Sequence, residues 1–330
     1  MNWSNYFAEY LVFLMESITM VIAILVVISM AIALSLKQKG RKTGLLIVKS
    51  LNKRYNSNKK IIEKAISTKR EYKSLLKKYK AENSKDQKNK KKIYIIEFTG
   101  DIRASEVEGL REEVNAILSI ATLKDEVVVK LESPGGVVHG YGLAAAQLSR
   151  LREANISLTI LVDKVAASGG YMMASVGDKI FSSPFAMVGS IGVIAQLPNF
   201  NKFLSNKGIE VELHTAGKYK RTLTSLGENT EEGRRKFREE LNDIHNLFKI
   251  YISKYRPALN IDEVGTGEYW FGTDALDKGL VDGLITSDQY LMDKYLHENY
   301  QLYQVKYLIK KGKLHKIQAM VEHLLVRYEA

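Results

Sequence analysis

From Ser17 to Leu36 twenty consecutive residues carry no charge, and Ile, Val, Leu, Ala and Met dominate the run. Wound into an α-helix, twenty residues span roughly 30 Å, the thickness of a bilayer's hydrocarbon core. A cleaved secretory leader would place positive charge before a shorter apolar core and small residues after it. Here Glu9 and Glu16 precede the run, no Lys or Arg does, and the run is too long. A buried helix of a soluble core is the competing assignment, but nothing amphipathic flanks the segment. The sequence therefore predicts one uncleaved transmembrane anchor within residues 1–36. Lys37, Lys39, Arg41, Lys42, Lys49, Lys53 and Arg54 all follow it. The positive-inside rule then puts the N-terminus outside and the rest of the chain in the cytoplasm.

The net charge of +12 belongs to one segment. Between Lys37 and Lys92 there are 21 Lys or Arg against 4 Asp or Glu, leaving 28 against 33 elsewhere. Residues 37–91 read as a Lys-rich tether, helical in part through Leu45, Ile47, Ile61, Ile62, Ile66, Leu75 and Leu76. Its end, Asn83 to Lys92, has no apolar residue and reads as a linker. Lysines beside a membrane are also drawn to anionic lipid. Nucleic acid is not expected as a partner, because base-stacking aromatics are sparse there, only Tyr55, Tyr72 and Tyr79. The chain has no cysteine, which removes disulfides, thiolate-bound zinc and thiol catalysis. Six scattered histidines without a His-x-x-x-His pair give no expected metal site.

From Ile93 the pattern changes. Ile93–Phe98, Val127–Leu131 and Ser157–Asp163 read as buried strands, with another near Ile180. Helices are expected near Ser105–Ile120, near Tyr141–Glu153 and at the start of Ser168–Val176. Such alternation predicts an α/β domain built on β-α-β units over residues 92–298. A long amphipathic helix is expected over Glu231–Tyr255, stopping before Pro257. Residues 299–330 read as a basic amphipathic tail, helical, lying on the domain or on lipid.

Chemistry concentrates in Val162-Asp-Lys-Val-Ala-Ala-Ser168-Gly-Gly-Tyr171 and in Gly217-Lys-Tyr-Lys220-Arg221. The first sets a serine among small residues, with room for a substrate backbone, between a strand and a helix. Unsatisfied N–H groups at such a turn can hold the charge that develops on an attacked carbonyl. Glu132-Ser-Pro-Gly135-Gly136 follows another buried strand, and its paired glycines can aim N–H groups into a cleft, although ordinary turns look the same. Serine hydrolase chemistry is the working reading, and the serine needs a base. His139 and His214 are candidates without an evident orienting carboxylate, His214 lying in an expected strand. Lys220 would need its pKa brought down from about 10.4 toward neutrality, helped by Lys218 and Arg221. Taken alone, Lys220 is more often a surface lysine, and Lys164, four residues before Ser168, has an equal claim on spacing.

Four motifs in order resemble those of the signal peptide peptidase A-type serine proteases: Glu132–Gly136, Val165–Tyr171, Val188-Gly-Ser-Ile-Gly-Val193 and Gly217–Arg221. Pro198–Phe203, His214–Leu223, Leu226–Arg234 and Lys278–Asp282 bring the resemblance closest to the SohB branch of that family. It covers roughly Lys92–Ile285 and extends to the anchor. The resemblance implies a Clp protease/crotonase-like fold, preceded here by one N-terminal transmembrane helix. It also implies a Ser-Lys dyad. Ser168 would be the nucleophile, Lys220 the general base, and the N–H of Gly169 with that of Gly135 or Gly136 the oxyanion hole. Lys164 stands where the family pattern requires no lysine. Arg221 stands where many relatives have an acidic residue. Tandem relatives carry two such units, whereas this chain has one.

The resemblance further implies peptide or protein substrates, no cofactor, a homo-oligomer with active sites at subunit interfaces, and the cell inner membrane, with a periplasmic domain as the alternative to a cytoplasmic one. Membrane lipid is met through the anchor. A catalytically inactive scaffold of the same fold and a crotonase-like acyl-CoA enzyme are the other functions that this architecture hosts.

Overall fold

The computed structural model describes residues 3–37, 44–82, 91–297 and 300–309. The described residues fall into two compact units, one containing Trp3–Lys37 and the other lying within Leu46–Tyr307. In the first unit α1 (Trp3–Lys37) is one continuous helix of 35 residues. It holds the uncharged run and extends it N-terminally. Within α1 the 18 residues Tyr10–Val27 have mean hydropathy 2.4 and none is buried by protein. Exposed apolar area carries a cost in water of roughly 25 cal/mol per Å². A helix with Phe13, Met20 and Val27 each about two-thirds exposed is therefore suited to lipid as its solvent. The Thr19 hydroxyl inside it donates to the Met15 carbonyl at 2.7 Å, so it asks for no water.

After α1 come β1 (Gly44–Ser50), α2 (Leu51–Ile66), α3 (Lys69–Glu82), β2 (Lys92–Thr99), α4 (Val107–Leu118), β3 (Glu126–Glu132) and α5 (Val138–Glu153). Next are β4 (Ser157–Val162), β5 (Val165–Ala167), α6 (Gly169–Ser175), β6 (Lys179–Ser182), β7 (Met187–Gly189), α7 (Asn201–Ser205) and α8 (Glu231–Tyr255). The remainder is α9 (Ile261–Val264), β8 (Tyr269–Phe271), α10 (Gly272–Asp277), β9 (Gly283–Leu284), α11 (Ser287–Leu296) and β10 (Gln301–Ile309).

A seven-stranded sheet runs in the order β1-β10-β2-β3-β4-β6-β9. Every pairing from β10 to β9 is parallel. Continuous apolar runs such as Ile93–Ile96 and Val127–Val129 suit strands that are covered on both faces. Because side chains alternate, Tyr94, Ile96, Phe98, Val127, Val129 and Leu131 enter one core, under α4, α5 and α6. Ile93, Ile95, Val128 and Leu161 point the other way, onto Leu51 of α2, Leu291 of α11 and Leu302 of β10. A smaller sheet, β5-β7-β8, flanks the first.

The expected strands and the β-α-β alternation are present, and α8 has the bounds read from the sequence. Thr230 caps α8 by accepting the Gly233 N–H at 3.1 Å, and Pro257 follows its last turn. Two expectations need correction. The segment assigned to a tether contributes β1 to the main sheet, and α2 packs Leu51 into a core while Asn52 bonds the Tyr300 carbonyl and the Leu302 N–H. The expected C-terminal helix is, over 301–309, strand β10, parallel to β2 with Gln301 opposite Lys92. The folded unit thus reaches beyond both expected boundaries, Lys92 and Glu298. The expected linker at 83–90 and the tail from 310 onward lie outside the described residues.

Candidate active site

In parallel sheets loops gather beyond the carboxyl ends of the strands, and those following β3 and β5 meet there. The Ser133 N–H donates to the Val165 carbonyl at 2.8 Å and the Ala167 N–H to the Ser133 carbonyl at 3.0 Å. These bonds lace Glu132–Gly136 to Val165–Ser168. Ser168 then turns the chain from β5 into α6 with φ 52° and ψ −120°, a conformation costly for any side-chain-bearing residue. Its own N–H donates to the Gly189 carbonyl at 2.8 Å, which gives the Val188–Val193 motif its role as a brace. Met172 donates to the Ser168 carbonyl, closing the first turn of α6. The serine is half-buried, its side chain presented at a sharp strand-to-helix turn.

The glycines beside it serve packing more than substrate clearance, contrary to the reading from sequence. A Cβ on Gly169 would overlap the Tyr141 ring, and one on Gly170 would lie 2.5 Å from the Ser133 carbonyl oxygen. Gly135 has φ +88°, and a Cβ there would stand 2.7 Å from Ser168 Cβ and 2.8 Å from the Gly169 nitrogen. Gly135 is therefore in direct contact with the candidate nucleophile. Its N–H, however, donates to Ser133 Oγ at 3.1 Å. The Gly136 N–H has no acceptor among the described residues, and neither has that of Gly169. Of the two expected oxyanion donors in this loop, Gly136 has the free one.

Behind the loop runs a buried hydrogen-bond chain that sequence reasoning missed. Tyr141 OH donates to the Asp101 carbonyl at 2.8 Å, so Ser133 Oγ, 2.6 Å away, donates to Tyr141. Burial pushes the Tyr141 phenol above its ordinary pKa and keeps it neutral. The next carbonyl, Ile102, accepts the Val137 N–H at 2.8 Å and holds the far side of the glycine pair. The Asp101 carboxylate fixes that turn by accepting from the Ser105 and Arg103 amides, the Ser105 bond chiefly lowering its pKa. An aromatic flanked by glycines, Gly140-Tyr-Gly142, is the signal in the sequence.

The candidate bases separate clearly. Lys164 is exposed and its Nζ lies 3.0 Å from both carboxylate oxygens of Glu132, an ion pair that engages it away from Ser168 Oγ, with which it makes no hydrogen bond. His139 is exposed on α5. His214 is exposed too, in a loop rather than the expected strand, bonded to Glu212 at 3.0 Å. Lys220 sits on the same loop, where its N–H donates to the Gly217 carbonyl at 3.1 Å in a turn permitted by Gly217 at φ +100°. Its side chain is exposed, and neither it nor Ser168 Oγ has a hydrogen bond or ion pair among the described residues. One copy of the chain does not bring the two within bonding distance. Lys218 is bound to Glu232 at 2.9 Å, which holds its pKa up and spends its charge away from Lys220. No group of three or more His, Asp or Glu suited to a metal occurs among the described residues.

Comparison with known proteins gives the family. Residues 5–148 match the family model described as peptidase family S49 N-terminal, and residues 150–299 match peptidase family S49. A probable protease SohB of Buchnera aphidicola subsp. Acyrthosiphon pisum is 56% identical over 237 residues, covering 72% of this chain and 70% of the relative. The probable protease SohB of Haemophilus influenzae is 45% identical over 329 residues, covering 95% and 92%. Among solved structures, a mutant of the 1510-N membrane-bound stomatin-specific protease with a substrate peptide is 15% identical, at TM-score 0.42. That match covers 62% of this chain and 80% of the other. With two family models in tandem over most of its length and relatives this similar along nearly the whole chain, the protein belongs to peptidase family S49.

Proposed function

We propose that this chain is a membrane-anchored serine endopeptidase in which Ser168 is the nucleophile and Lys220 the general base. The observation that carries it is the turn at Ser168: a strained serine in contact with Gly135, beside two unclaimed N–H groups at Gly169 and Gly136. Neutral Lys220 takes the Ser168 proton as Oγ attacks a peptide carbonyl. The Gly169 and Gly136 amides hold the oxyanion, and Lys220 returns the proton to the leaving amine. Water, activated by the same lysine, then hydrolyses the acyl-enzyme. Extended peptides from unfolded or membrane-derived chains are the substrates, and no cofactor takes part.

The exposure of Lys220 favours supply of the base by a neighbouring subunit. Its loop and the stretch before it leave Ile194, Phe200, Phe203 and Leu213 exposed, apolar surface of the kind that subunit contacts cover. Cleavage of casein or a fluorogenic peptide by detergent-purified protein is the test. Ser168→Ala and Lys220→Ala abolish it, and Lys164→Ala leaves it. Activity regained on mixing Ser168→Ala with Lys220→Ala subunits places the dyad across an interface. Loss in Lys164→Ala alone refutes the assignment of the base, and absence of Ser168 labelling by a fluorophosphonate refutes the nucleophile. The positive flank after α1 supports a catalytic domain on the cytoplasmic side of the inner membrane. A periplasm-only reporter active after Ala330 overturns that orientation.

A further inference from the structure

The helical hairpin of α2 and α3 carries a surface that the peptidase site does not use. Leu51, Tyr55, Ile62 and Ile66 follow one face of α2 at helical spacing. The first half of that face is docked: Leu51 is buried in the core with Tyr55 packed on it, and Tyr295 donates to Asn56 at 2.6 Å. The second half is bare, with Ile62 61% and Ile66 78% exposed, and neighbouring Ile61 65%. Helix α3 is fixed alongside, because Tyr79 OH donates to the Glu63 carboxylate at 2.5 Å and Lys59 and Lys60 lie over the Tyr79 ring. From Leu51 to Glu82 eleven Lys or Arg stand against three Asp or Glu. A bare apolar stripe inside a dense field of cations, on a rigid element, fits an anionic lipid surface. Only thirteen residues separate Lys37, the last of α1, from Leu51 in the sequence.

We propose that the α2–α3 hairpin is a membrane-surface foot: its lysines meet anionic headgroups and Ile61, Ile62 and Ile66 enter the interfacial layer. A foot of this kind adds a second attachment to the anchor and sets the orientation of the folded unit above the membrane. A second copy of the chain, covering the same stripe, is the outcome that competes with it.

The chain has no cysteine, so Ile62→Cys gives a unique labelling position on an exposed side chain. Full-length protein carrying a fluorophore there is placed in nanodiscs of phosphatidylcholine with or without phosphatidylglycerol. Quenching by doxyl-labelled lipid and by aqueous iodide is then read. The proposal expects lipid quenching and iodide protection in the anionic discs, both weakened by high salt. Lys64, Lys73 and Lys77 are exposed and make no ion pair among the described residues. Changing all three to Gln should lower the docked-to-free ratio on the order of a hundred-fold. An iodide-accessible, unquenched label in anionic discs overturns the proposal. So does equal protection in neutral discs, or in detergent without lipid, the latter assigning the stripe to a second copy. Peptidase activity is not the readout, so the result stands whether or not the Ser168–Lys220 assignment holds.

Discussion

Replacing Gly135 by alanine adds one carbon at the place where the two loops of the site touch. That carbon would stand 2.7 Å from the Ala167 carbonyl oxygen, 2.7 Å from Ser168 Cβ and 2.8 Å from the Gly169 nitrogen. Two of these neighbours are backbone atoms that cannot swing away, so the loops must part by several tenths of an ångström. Positive φ, here +88°, costs alanine about 1–2 kcal/mol in addition. For a folded unit of this size that lowers Tm by roughly 2–8 °C. On the proposed mechanism the effect on catalysis is larger, because moving Ser168 against the Gly136 and Gly169 amides misaligns the proposed nucleophile and oxyanion donors together. Loss of one oxyanion donor is worth about 100- to 1,000-fold in kcat. We expect kcat/KM on a fluorogenic peptide to fall at least about 100-fold. Gly142→Ala is the matched control: that glycine lies in α5 with open space around its Cβ position, so the same methyl should leave activity intact. If Gly135→Ala retains activity within about three-fold of wild type, the contact geometry has no bearing on the chemistry and the oxyanion assignment is wrong.

Two further predictions concern stability. Glu113 is buried on α4, and burial raises its carboxyl from 4.5 to about 7, against the pull of the Tyr307 amide and Lys306. The folded chain then keeps a proton that the unfolded chain releases near 4.5, so stability falls as pH rises between these values and levels off above the upper one. Glu113→Gln should thus be more stable than wild type at pH 8 by on the order of 3 kcal/mol and equal to it at pH 4. Parallel denaturation midpoints for the two proteins across this range would contradict the burial argument. Asp282 ends the Lys278–Asp282 motif and receives Arg256 at 2.7 and 2.9 Å as well as the Ile180 N–H at 2.7 Å. Arg256 is largely buried and Asp282 about one-third exposed. Asp282→Ala should therefore cost about 2–3 kcal/mol, less than for a fully dry pair. Calorimetry should find Tm lowered by roughly 4–12 °C, and a loss under about 2 °C would place the motif outside the fold's support.

What could be read from the sequence follows from how local each signal is. The central strands β2, β3 and β4 are covered on both faces, so their residues form unbroken apolar runs. Strand β1 at the sheet edge and β10 beside it have no such run: Gly44–Ser50 is largely exposed, and Gln301–Ile309 mixes Gln, Lys and Tyr with Leu302 and Val305. Their partners are distant as well, Gln301 lying opposite Lys92, and no window of sequence contains both. That is why a charged tether and a tail were expected where strands occur. Ser168 was legible because strand, turn and helix propensities change within a few residues of it. The choice between Gly135 and Gly136 was not, since it depends on a hydroxyl, Ser133 Oγ, being turned toward one amide.

The same distinction applies to the lysines. Lys164 and Lys220 look alike in sequence, and only the fold reveals that Glu132, from the neighbouring strand, claims the first. A lysine held by a carboxylate is stabilised in its charged form and is a poor acceptor of a serine proton. A lysine exposed to water is equally poor until something covers it, because desolvation is what favours the neutral amine. In the proposed mechanism Lys220 therefore needs cover, and its own chain makes no contact with its amine among the described residues. Substrate or a neighbouring subunit must supply that cover. If so, the base acquires its function only when the site is assembled, and free chains diluted below their association range should lose activity while Ser168 keeps its strained turn.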